Sequence, residues 1–154
     1  MQIQRVNRTD AEKVYIVVKN VSGATITTGM GACLVGAAAA EIVSTDGISA
    51  VAVFDAKMNQ FAGIAVEDIA DNGYGRVQTW GICNSVLLSA EANKTVAPVA
   101  AGTSFLKAGA ATGSFTSTQA AQALSTMCYK YVQCLTTANI SGGLPYCKAF
   151  VRAL

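Results

Sequence analysis

The apolar positions of this chain come in short runs rich in β-branched and aromatic residues, each closed by glycine, asparagine, aspartate or serine. Such runs read as strands bounded by turns. The first is Val14 to Asn20, VYIVVKN, turned by Ser22-Gly23. Ala24 to Thr28 reads as a second short strand, and Cys33-Leu34-Val35 as the next to pair. Ala37 to Ala40 has helix propensity but is too short to use it before Glu41, so a strand or turn is expected there. After an Asp46-Gly47 turn, Ser49 to Asp55 alternates small with branched residues and reads as a strand. Phe61 to Val66 reads as a buried strand interrupted by Gly63.

Asp68 to Gly75 holds an Asn-Gly turn signal. From Tyr74 to Ile82 the chain runs out as a strand. Its alternation places Tyr74, Arg76, Gln78 and Trp80 on one face and Gly75, Val77, Thr79 and Gly81 on the other. Val86-Leu87-Leu88 continues the pattern. Ala97 to Thr118 is small and polar, with Pro98 and three glycines, and reads as a hairpin-like wrap with long turns. Gln119 to Ser125 is the best place for one helical turn. Met127 to Thr136 and Tyr146 to Leu154 are the last two predicted strands. Many short strands between turn residues give an all-β fold, a compact β-sandwich or barrel. Residues 1–13 carry charges and few large apolar side chains, so they read as an N-terminal arm on a single domain spanning 14–154.

Composition changes the picture in one respect. Hydrophobic residues make up 52% of the 154 and charged ones 13%, against roughly 25% charged in an ordinary domain. A surface built from Ala, Gly, Ser and Thr suits a protein whose faces are covered by neighbours. The charge is uneven. Residues 1–91 carry six basic and nine acidic side chains, a net −3, and residues 92–154 carry five basic and none acidic, a net +5. The basic residues are scattered singly, whereas a nucleic-acid surface wants a clustered stripe. Attraction between unlike ends of neighbouring subunits is the better use of this asymmetry.

Candidate chemistry is sparse. There is no histidine, the usual base and commonest metal ligand near neutral pH. The serines lie in no G-x-S-x-G, and Gly73 and Gly75 do not complete a phosphate loop. Glu67, Asp68 and Asp71 form an acidic cluster, but D-I-A-D-N-G lacks EF-hand spacing and reads as a solvated turn. Cys33, Cys83, Cys128, Cys134 and Cys147 are odd in number and form no C-x-x-C, so they read as free buried thiols in a reducing compartment. Cys128 and Cys134 would share a face of one straight strand, too far apart to bridge. The first residues, MQIQRVNRTDAEK, lack the apolar core of a signal peptide, and no stretch has the apolar length of a membrane-spanning helix. The expectation is a protein with no catalytic role, no cofactor and no bound metal.

The positive signal is interfacial. Tyr74, Arg76 and Trp80 are of the types enriched at the centre of protein–protein contacts, and Gln78 shares their predicted face. In the arm, Ile3, Arg5, Val6 and Arg8 are the candidate contacts, too few to bury alone. Three segments carry a family likeness: KNVSGATITTG (Lys19 to Gly29), FAGIAVEDIADNGYGRVQTWG (Phe61 to Gly81) and YCKAFVRAL (Tyr146 to Leu154). In these the chain resembles the small head-decoration, or cement, proteins of tailed phages, notably of aquatic and cyanobacterial phages. They cover about a quarter of the chain. The resemblance implies a compact β-rich body, often a homotrimer, that clamps neighbouring subunits of the major capsid protein on the virion surface after synthesis in the host cytoplasm. The five cysteines and the wrap from Ala97 to Thr118 are not carried by the resemblance. Two other readings compete. One is a virion-surface or fibre-associated glycan-binding module using Tyr74, Trp80, Asp71 and Asn72, and the other is a neck or tail structural protein.

Overall fold

A computed structural model describes residues 12–35, 48–52, 60–89, 106–108, 113–117, 132–136 and 146–153. Nine strands run through them: β1 (Val14–Asn20), β2 (Gly31–Leu34), β3 (Ser49–Ala52), β4 (Phe61–Ala65), β5 (Tyr74–Leu87), β6 (Leu106–Ala108), β7 (Phe115–Ser117), β8 (Val132–Cys134) and β9 (Tyr146–Arg152). No α-helix occurs among the described residues. The fold is all-β, and of the two predicted architectures it is the barrel.

The first five strands close on themselves in the order β1-β3-β2-β4-β5 and back to β1. Every neighbouring pair is antiparallel except β1 and β3, which run parallel through Lys19↔Ser49 and Asn20↔Ala50. Closure removes free edges from these five strands. β5 is fourteen residues long and serves two sheets. Its first half pairs with β1 and β4, its second half with β9, and β9 then pairs with β8.

This shared strand gives the molecule two cores. One lies within the barrel: Val18, Ile26, Ala32, Ala50, Ala65, Ile69 and Val77 pack there, with other small residues. Small alanines suit the interior of a five-stranded barrel, which leaves little room for large side chains. The second core joins Cys33, Phe61 and Ile64 to Cys83, Val86 and the inward side chains of β8 and β9. Phe115 is wholly buried in it and meets Phe61 edge to face, with ring centroids 5.9 Å apart. A bridge from Leu88 to Phe115 ties the short β6–β7 ladder to this layer.

Three sequence expectations change. Ala24–Thr28 is not a strand, and only Ile26 makes a bridge there, to Ile69. The Asn20 side chain explains it: its amide donates to Ala24 O and Ile69 O, and its carbonyl accepts from Ser22 N. Side-chain bonds of this kind offer the backbone an alternative to the ladder. Gly63 does not interrupt β4. The strand runs through it at φ +148, beside a register shift in β2. A β-carbon there would collide with Gln78 O, so the glycine is what permits the close approach of β4 to β5. Finally, β5 does not stop at Ile82 but continues to Leu87. The expected arm up to residue 11, the helical turn at 119–125 and the start of the Met127–Thr136 strand lie outside the described residues.

Candidate binding face

Alternation along β5 sets the site. Gly75, Val77, Thr79 and Gly81 are buried, while Tyr74, Arg76 and Trp80 face outward. Tyr74 is 64% exposed and Trp80 37%. Their cross-strand partners extend the face. Lys19 lies opposite Tyr74, Val17 opposite Arg76 and Val14 opposite Trp80. Val14 and Val17 are both exposed, Val17 by 57%. On its other side Trp80 pairs with Arg152 and meets the Phe150 ring edge to face at 5.2 Å. Two exposed patches result: Tyr15, Val17, Lys19, Tyr74 and Arg76 share one face of the β1–β5 ladder, and beyond the register shift Val14, Trp80 and Arg152 share the other with the Phe150 ring.

Gln78 keeps the alternation of Arg76 but is covered. It is 2% exposed, opposite Tyr15 and Ile64, and its Nε2 donates to Trp80 O at 3.1 Å. A bulge beyond it turns Trp80 to the other face. The pairing shifts between Val14↔Trp80 and Tyr15↔Gln78, leaving Thr79 as the extra residue, with its hydroxyl on Val14 O. Gln78 is therefore a structural residue of the barrel wall and not a contact. Ile3, Arg5, Val6 and Arg8 lie outside the described residues.

Arg76 is already engaged within the chain. Its Nε and Nη2 lie 3.1 and 3.3 Å from the two oxygens of Glu67, whose Oε1 also accepts from Arg76 N. These bonds hold the Glu67 carboxyl below its usual range, the side-chain bond contributing most, and the guanidinium is raised in turn. The pair is open to solvent, so it orients the fork more than it stabilises the fold. Asp68 accepts from Thr28 N and Oγ1 and is lowered by those bonds, the backbone one first. Asp71 accepts from Gly23 N and Asn72 Nδ2. The acidic cluster is thus spent on bracing the β4–β5 turn against the loop after β1. No protein-family model matches the chain, and no curated protein matches it.

The aromatic platform expected of a glycan site is not formed by Tyr74 and Trp80. Six residues apart on one strand, they are separated by roughly 20 Å, and Asp71 and Asn72 are occupied at the turn. Among the described residues no group of three Cys, Asp or Glu side chains is placed to hold a metal ion, and no helix is long and apolar enough to cross a membrane. Cys33, Cys83, Cys134 and Cys147 are free thiols, all in the second core. Cys128 lies outside the described residues. Cys134 donates to Thr136 O, and the Cys147 thiol is pushed up by its hydrogen bond with Cys134 and by burial. Burial likewise pushes up Cys83.

Tyr74, Arg76 and Trp80 are exposed, and so are Val14, Tyr15 and Val17, which the sequence reading does not single out. A run such as VYIVVKN, apolar at adjacent positions, reads as buried on both faces. Only the barrel shows that one of those faces has no layer over it.

Proposed function

We propose that this chain is a structural virion protein. It binds the outside of a phage capsid as a homotrimer and bridges neighbouring subunits of the major capsid protein. The observation that carries the reading is the outward face of Tyr15, Val17 and Tyr74 on β1 and β5, apolar and aromatic side chains left uncovered by the chain's own fold, with Val14 and Trp80 exposed on the other face of the same strands. Clustered exposed aromatics flanked by cations are what protein-binding surfaces present. The resemblance noted in the sequence supports the same place, because the Phe61–Gly81 segment builds β4 and the barrel half of β5, and the Tyr146–Leu154 segment builds β9. Such a protein stabilises a shell by binding the assembled lattice and not its free subunits, with many copies acting at once.

The test is co-sedimentation with capsids that lack the protein, followed by cryo-electron microscopy of the decorated particle. Saturable binding to the shell, with β1, β5 and β9 turned to the capsid or to a sister copy, is expected. Density confined to the neck or tail, or a bound protein with this face in solvent, overturns the reading.

A further inference from the structure

β5 changes partners between Gln78 and Val86, and it does so through two irregularities. One is the bulge at Thr79, and the other a register shift between Cys83 and Val86 in the pairing with β9. Bulges bend a strand and gather beside binding sites. Here they open a cleft of about 210 Å³ in the outer wall of the barrel. Its polar lining is Lys13, Tyr15, Thr28, Gln78, Asn84 and Ser85, and Ala65 and Val66 supply apolar wall. Pockets for free drug-sized ligands run to roughly 300–1,000 Å³, so this one has room for a single side chain.

The chemistry of the lining selects that side chain. Among the described residues no carboxylate lines the cleft, and Lys13 is the one charged group that does. Lys13 and the Cys83 thiol line the same cleft, and the upward push of burial on that thiol is opposed first by its bond with Ser85 and then by the Lys13 charge. Asn84, Ser85 and Tyr15 add neutral donors beside it. Asp68 sits on Thr28, bonded to both its N and its Oγ1, and makes that part of the lining unfavourable to an anion. An anion is thereby directed to Lys13. The cleft also opens beside the outward face of Val17 and Arg76, because Tyr15 and Gln78 are the next pair on that face of the ladder.

We propose that this cleft receives one carboxylate from the docking partner, an aspartate or glutamate side chain that enters at Lys13 while the partner's apolar residues cover Val17 and Tyr74. The inference rests on the docking reading only for the source of the carboxylate. It assigns the face a register: a charged anchor in the cleft fixes where the apolar contact lies.

The probe is the peptide acetyl-Gly-Glu-Gly-amide, titrated in the millimolar range into the ¹⁵N-labelled full chain, with acetyl-Gly-Gln-Gly-amide as the uncharged isostere. Saturable shifts are expected at the Gln78 and Asn84 side-chain amides and at the Ser85 backbone amide. The glutamine peptide should bind about tenfold more weakly. Lys13→Gln should lose the discrimination, and Ser85→Asp, at an exposed position, should abolish binding while leaving the remaining spectrum unchanged. Absent saturation, equal binding of the two peptides, or discrimination that survives Lys13→Gln overturns the proposal. Each of these results can occur with capsid binding intact, so this inference can fail alone.

Discussion

Trp80 and Phe150 meet edge to face, with ring centroids 5.2 Å apart and planes at 78°, on the outer surface where β5 passes from the barrel to β9. Neither ring belongs to either core. The contact is therefore a surface feature, and it pre-orders two aromatics before any partner arrives.

That placement separates two effects of Trp80→Ala. Loss of the aromatic pair should cost the isolated chain about 1 kcal/mol beyond the loss of the ring's partial burial, in all below the roughly 3–5 kcal/mol of a core tryptophan. The variant should stay folded by circular dichroism, with a melting temperature a few degrees lower. Its binding to the partner should fall by a hot-spot margin of about 2 kcal/mol or more. Global unfolding of the variant at room temperature would contradict the placement.

Gly63 and Gly23 form a controlled comparison. Both have positive φ, but a β-carbon at Gly23 meets open space, whereas one at Gly63 meets the Gln78 carbonyl. Gly23→Ala should cost only the backbone strain, about 1 kcal/mol. Gly63→Ala must also push β4 off β5 and should cost clearly more. Equal denaturation midpoints for the two variants would refute the close-approach account.

Glu67 links the turn to pH. Its folded pKa is depressed below the ordinary 4.5 by Arg76. A depressed carboxyl contributes stability that is fully present above the unfolded pKa and is lost as pH falls through the folded one. Wild type and Glu67→Gln should therefore differ most at neutral pH and converge as the pH drops below about 4.5. Because the pair is exposed, the difference should be small and should shrink further in high salt. Melting curves across pH at two ionic strengths measure it, and a gap that widens in acid is the opposing result.

The thiols report the second core. Cys33, Cys83, Cys134 and Cys147 are all buried, and the thiolate is the reactive form. In the native chain these four should react with a thiol reagent only at the rate of global opening, and in denaturant without reductant they should titrate at once. Mass mapping of the labelled sites checks this. Prompt native labelling of Cys134 or Cys147 would show that β8 does not cover the core.

Much of the architecture was legible because strand alternation is local. The inward pair Gly75 and Val77 follows from period two alone. The turn of Trp80 to the other face was not legible, since a bulge shifts the pairing by one residue and the signal for it, Thr79 bonding to Val14 O, is made by a strand some 65 positions away. The Ala24–Thr28 segment misled for a related reason: its composition favours a strand, but Asn20 had already claimed Ala24 O. Closure of the barrel through the parallel β1–β3 pair left no local trace either, as it depends on residues 29 apart meeting at Lys19 and Ile48. The cleft is a product of two register shifts and so was invisible before the pairing was known.

The double service of β5 has a mechanical consequence. Among the described residues a pull along β9 reaches the barrel through the second core and through the β5–β9 ladder, whose hydrogen bonds lie across the strand direction. The ladder is then loaded in shear, several bonds together, and cannot be unzipped one at a time. Beyond it the same polypeptide continues without a joint into the barrel wall. In the proposed role on a shell, strain from an expanding container would pass into the chain's most tightly closed part.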